Sequence, residues 1–262
     1  MSYYNPAEIA DIFANTSCAK AKMPFTKFAL MAIMGGIFIA LGGLLTVVVA
    51  GGMPQTAIHN IGLVKFMAGA LFPVGLIMVS VAGADLFTSD CAGITLSTMQ
   101  KKTAWTELLK VWILAYAFNF IGAQFVAWFM AHETHIIASA PYADYLNTLA
   151  NGKLSHDWYT VFIKGIGANM LVCLGTWMGY AGKDICGKAF GIWVPVMLFV
   201  TLGYEHSIAN MFFIPAAMYN GADITWGQFI VDNLIPATIG NIVGGAVFVG
   251  MIYGYIYGKK SS

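Results

Sequence analysis

The sequence predicts an all-α membrane protein whose six crossing helices form two inverted halves, with the second and fifth helices broken part-way. Three observations predict it. Of 262 residues, 59% are hydrophobic and 10% charged, whereas a water-facing domain carries about 25% charged residues to keep its surface hydrated. Six apolar windows, near 27–50, 64–98, 106–130, 159–181, 189–219 and 234–257, are long enough to cross hydrocarbon, which takes about 20 residues. The second and fifth windows are too long for one crossing, and each is interrupted by a proline and then by glycine and an acid.

The elements follow in chain order. Residues 1–24 lack the apolar core and small-residue cleavage site of a signal peptide. Ile9, Ile12 and Phe13 recur at helical spacing there, which predicts a short amphipathic helix lying on the membrane surface. The first span carries Gly35, Gly36, Gly42 and Gly43, and the last carries Gly240, Gly244 and Gly245; small residues let membrane helices approach closely. Trp105, Trp158, Tyr253 and Tyr257 stand near span ends, where amphipathic rings anchor to the interface. The halves fall at about 25–131 and 159–258 of a single membrane domain covering 1–262.

Lysine placement gives orientation, because the chain has no arginine. Lys20, Lys22, Lys27, Lys101, Lys102, Lys110, Lys183, Lys188, Lys259 and Lys260 fall on one side, leaving Lys65, Lys153 and Lys164 for the other. Both termini are therefore expected in the cytoplasm. A net charge of +1 without a basic tract gives no electrostatic footprint for nucleic acid. Cys18, Cys91, Cys173 and Cys186 form no CxxC pair, so free thiols and no metal or other cofactor are expected.

The interruptions carry the functional signal. "FPVGLIMVSVAGADLFTSD" (72–90) and "VPVMLFVTLGYEHSIAN" (194–210) each run from a proline through an apolar half-helix to Gly-x-acid, Gly83 to Asp85 and Gly203 to Glu205. They occupy the middle helix of each three-helix half, and broken helices at matching places in inverted halves point to a permeation site. Non-helical backbone at membrane depth must be buried in protein or line a watery cavity. The free N–H groups at a helix start attract anions. Asp85 and Glu205 read first as caps of the half-helices that follow, with direct substrate contact as the alternative, and Asp90 reads as a cap for a helix starting near Cys91. His206 sits in the second break, where an imidazole can exchange a proton or donate a hydrogen bond near neutral pH. The other histidines, His59, His132, His135 and His156, fall in external loops and read as solvated.

"AGADLFTSD" and "GYEHSIANMFFIP" resemble the two signature segments of the formate/nitrite transporter family, and "NMLVCLGTWMGYAGKD" (169–184) and "DNLIPATIGNIVGG" (232–245) extend the resemblance over nearly the whole chain. It implies an aquaporin-like six-helix bundle, assembled as a homopentamer with one pore per protomer in a bacterial cell membrane, that passes small monovalent anions of weak acids. Position by position it places the pore histidine on His206 and the loop threonine on Thr88. The apolar constrictions fall on Phe72, Leu76 and Phe199, on Leu86 and Phe87 of the loop, and on Val172 of the fourth span. An external lysine matches Lys153, which either concentrates anions or is an ordinary loop charge. Buried polar partners match Asn169 and Asn241.

Such a pore resists a hydrated ion, because a bare charge in hydrocarbon is costly. A weak-acid anion escapes that cost by taking a proton, so an anion channel with His206 as donor and a protonation relay both fit. A proton-coupled carrier of the same family stays open. An aquaporin-like neutral-solute pore fits less well, since it calls for an arginine that this chain lacks. An enzyme is not expected, because no nucleophile and base form a recognisable motif. Among substrates the short chain without a long C-terminal tail leans to the hydrosulfide branch of the family, ahead of formate and nitrite.

Overall fold

The computed structural model describes residues 3–258, and Lys259 and Lys260 of the orientation argument lie outside the described residues. All its regular elements are helical, and six of them are long and apolar enough to cross a membrane. Helix α1 (Pro6–Ala21) starts with Pro6 and a reciprocal cap in which Asn5 accepts from the Ala7 and Glu8 N–H groups and Glu8 reaches back to the Asn5 N–H. Its apolar face, Ile9 and Phe13 among others, is buried against the helix after the first break and the end of the last helix, with Cys173 and Trp177 beside it. Residue periodicity identifies the apolar face of α1 but not what covers it; here protein covers it where the sequence suggested lipid.

Helix α2 (Phe25–Gly51) is the first crossing. After a short helix α3 (Pro54–His59), α4 (Ile61–Leu71) and α5 (Val74–Ala82) run on around Pro73 as a 22-residue apolar rod. That rod ends at Gly83, and after Ala84, Asp85 and Leu86 a new helix, α6 (Phe87–Met99), begins. Helix α7 (Trp105–His132), widened to π geometry over Val126–His132, completes the first half. The second half repeats the plan: α8 (Tyr142–Leu154), α9 (Trp158–Ala181), α10 (Ile185–Leu202), a break at Gly203 to His206, α11 (Ser207–Tyr219), and α12 (Trp226–Tyr257). At the start of α9 the Thr160 N–H and hydroxyl bond Asp157 and hold its carboxyl below the usual carboxylate range. In α12 a π stretch, Phe229–Leu234, precedes Pro236, which has no N–H to continue the regular ladder.

The windows 64–98 and 189–219 therefore each resolve into one rod of membrane length and one short helix of 13 residues. Both short helices are buried along nearly their whole length, α6 with its Thr, Ser and Asp side chains included. Each rod ends on a glycine with a left-handed backbone, Gly83 at φ 82° and Gly203 at φ 72°. That geometry costs a side-chain-bearing residue energy and costs glycine little, so it fixes where the helix stops. The repeat also reaches further than the three crossings of each half, because α1 and α8 stand in matching places before them.

Candidate functional site

The two breaks are held in the same way. The Asp85 N–H donates to the Met31 carbonyl of α2 at 3.0 Å, and the Glu205 N–H to the Lys164 carbonyl of α9 at 3.4 Å. Asn119 of α7 donates through Nδ2 to the carbonyls of Ala32 and Asp85 and accepts the Phe87 N–H through Oδ1. Asn241 of α12 repeats this, donating to the carbonyls of Gly165 and Glu205 and accepting the Ser207 N–H. Each asparagine thus satisfies backbone groups that the break frees, as burial demands. Asn169 crosses between the halves, donating to the carbonyls of Thr88 and Asn241 at 3.0 and 2.7 Å. Asn119 escaped the sequence reading; its signal was its place on the third span of its half, matching Asn241.

The carboxylates do not cap helices. Asp85 is ion-paired with Lys20 of α1, which also bonds Asp90 at 3.0 Å. Glu205 accepts from Lys153 of α8 at 3.0 Å and from the Asn210 and Asn233 side chains. Asp90 lies inside α6, past its first turn start, and not before a helix at Cys91. A carboxylate this deep needs a cation or several donors, and α1 and α8 each deliver a lysine. Lys153 is consequently matched by Glu205 and is neither a free attractor nor a solvated loop charge.

The cap of α11 is His206 itself. Its Nδ1 accepts the Ala209 N–H at 3.0 Å, so in the neutral ring the hydrogen sits on Nε2, 3.0 Å from the Thr88 hydroxyl oxygen. Nε2–H donates to Thr88 Oγ1, and the threonine hydroxyl keeps its own hydrogen to give elsewhere. Both residues are buried.

Two cavities lie beside the breaks, the larger reaching His206 and the smaller bordering Gly83, Ala84 and Leu86. The larger, about 440 Å³, carries Lys65, Lys153, Lys164 and His156 on its walls and ends on Phe72, Phe199, Phe213 and His206. The smaller, about 220 Å³, is lined by Lys20, Leu76, Val79, Leu86, Ser89 and Thr176 among others. Phe72 meets Phe199 edge-on at 5.9 Å, and Phe199 stacks on the His206 ring at 5.7 Å. Phe72 and Phe199 on the larger cavity and Leu76 and Leu86 on the smaller are all at most 3% exposed, so both cavities border buried apolar side chains. Of the other expected members, Phe87 turns its ring to Tyr116 of α7 at 4.9 Å, and Val172 is buried and, like Thr88, lines neither cavity. Phe87 is the first residue of α6 and its N–H is tied to Asn119, which directs its side chain toward α7. His156 is not merely solvated, since it accepts from Lys164 Nζ at 2.6 Å in the larger cavity, and His132 packs on Trp128. The four cysteines are free, and among the described residues no cluster of metal-ligating side chains forms.

Residues 7–255 match the family described as formate/nitrite transporter. A probable formate transporter of Methanothermobacter thermautotrophicus is 41% identical over 99% of both chains. A formate channel of Bacillus thuringiensis is 36% identical over 100% of this chain and 99% of its own. Among solved structures, a pentameric formate channel with formate bound superposes with a TM-score of 0.78 at 33% identity, over 90% of this chain and 98% of that one. These relatives are transporters and channels, not enzymes. With two lysine-braced breaks and a family match over nearly its full length, the chain belongs to the formate/nitrite transporter family.

Proposed function

We propose that each protomer of a homopentamer conducts a small monovalent weak-acid anion, formate foremost, with the lysine-rich cavity outside the cell and both termini in the cytoplasm. The observation that carries the reading is the larger cavity, whose cationic walls lead to an apolar floor containing His206. Lys65 and Lys164 draw the anion in, since Glu205 matches the charge of Lys153. Behind the floor the buried Thr88 hydroxyl, bonded to His206, is a donor for the permeant. The neutral His206 ring acts as donor and cap, because a second ring proton would have to take Nδ1 from the Ala209 N–H. Phe72, Phe199, Leu76 and Leu86 form two apolar layers that a bare charge crosses only at high cost, and a weak acid passes them by carrying a proton.

Formate is favoured over hydrosulfide because two relatives matched over their full length carry formate in their names; the hydrosulfide lean rests on chain length and tail alone. Flux of formate, nitrite and hydrosulfide into proteoliposomes tests the reading. Formate entry that does not saturate at millimolar concentration is expected. Hydrosulfide entry with no formate entry moves the substrate, saturating entry points to a carrier, and no entry of any of the three overturns the proposal.

A further inference from the structure

The two ion-paired breaks differ at one matched position, and the difference concerns a proton. In the second half Glu205 faces Asn210, whose Nδ2 donates to it, along with Asn233 and Lys153. That site holds one carboxylate, one ammonium and two amide donors. In the first half the residue matching Asn210, four positions into α6 as Asn210 is into α11, is Asp90. Lys20 there meets two carboxyls, Asp85 and Asp90. Asp85 is 0% and Asp90 1% exposed, and Asp85 Oδ2 and Asp90 Oδ2 have no hydrogen-bond donor. One ammonium cannot balance two buried carboxylates, and like charges sharing a dry site cannot both stay ionised.

We propose that Asp90 holds a proton beside the Asp85 carboxylate, forming a proton-binding site beside the smaller cavity that the second half of the repeat lacks. A protonated Asp90 has the shape of asparagine and offers its O–H where Asn210 offers N–H. The neighbouring titratable groups are Lys20 of α1, Tyr180 and Cys173 of α9, and Cys91 of α6. Among these, Lys20 is the one cation. Lys20 lines the cavity, so an anion there takes a proton from the Lys20 ammonium while the carboxyl proton returns to Lys20. The permeant leaves as the neutral acid, the pair is left doubly ionised, and solution on that side restores its proton. This role rests on the function proposed above; the site itself does not.

Infrared difference spectra of the full-length protein in liposomes, in water and in deuterated water, test the site without any flux. The wild type should show the carbonyl band of a buried protonated carboxyl at neutral pH. Asp90→Asn should lose it, and Asn210→Asp should add a second band. Absence of the band in the wild type, or its persistence in Asp90→Asn, overturns the site. Should Asp90→Asn fail to assemble, the wild-type band and the Asn210→Asp gain decide alone. Formate flux with pH varied on the Lys20 side should flatten in Asp90→Asn, and an unchanged profile with the band lost removes the role while keeping the site.

Discussion

At the scale of single residues, the site is a set of buried polar groups each of which has one partner it cannot lose. Lys153 and Glu205 are such a pair, at 12% and 2% side-chain exposure. Removing one partner of a buried ion pair leaves a charge without compensation, at a cost of about 3–5 kcal/mol, whereas removing both is far milder. Lys153→Met should therefore lower the unfolding temperature of the purified protein sharply, and adding Glu205→Gln should recover most of the loss. Equal damage in the single and double variants would show that Lys153 acts by packing alone. Asn119→Ala should strand the Phe87 N–H and the carbonyls of Ala32 and Asp85, at about 1–3 kcal/mol for each group left unpaired. An unfolding temperature within error of the wild type would show that water takes over these bonds. At this scale the sequence was partly legible. Glycine followed by an acid marked both breaks, but nothing local says that a lysine far away in the chain, Lys20 or Lys153, reaches the acid first. Capping was the local expectation for Asp85 and Glu205, and long-range ion pairing overrode it.

At the scale of elements, the breaks depend on two backbone conformations as much as on side chains. Gly83 and Gly203 hold φ of 82° and 72°, and a Cβ there would strain against the following carbonyl by about 1–2 kcal/mol. Gly203→Val should be destabilised by that amount or more in thermal unfolding, while Gly203→Asn, which tolerates the left-handed region better, should lose less. Matching losses for both variants would point to something other than backbone strain. Close approach adds a second constraint. A Cβ on Gly35 of α2 would run into the Asp85 carbonyl, so the first break is seated on α2 as well as tied to Asn119. Hydropathy located all six crossings because their length is set by the bilayer. It ran each short helix into the rod before it, since burial inside protein lets a helix such as α6, with Thr88, Ser89, Asp90, Thr95, Ser97 and Thr98, sit at membrane depth. It also left α8 in a loop, because a half-buried helix with just Leu146 and Ala150 fully inside has little apolar periodicity to read.

At the scale of the whole molecule, an inverted repeat gives the same backbone device on both faces and lets side chains make the faces unequal. The larger cavity collects Lys65, Lys153 and Lys164, and Glu205 balances one of them. The smaller collects Lys20, which faces two aspartates. The expected result is that the larger cavity concentrates anions and the smaller does not, a difference invisible in a net charge of +1. Attraction by charges near water is screened over a Debye length, about 30 Å at 0.01 M salt and about 3 Å at 1 M, and a cleft of one sign raises the local concentration of the opposite ion. Replacing both Lys65 and Lys164 with glutamine should therefore slow formate entry from the outer side several-fold at 0.01 M salt, a rough figure set by the same screening argument, and the gap should close as salt rises. Exit through the smaller cavity, measured from the opposite side, should change less. A deficit that persists at high salt would mean that these lysines shape the cavity, His156 included, instead of charging it.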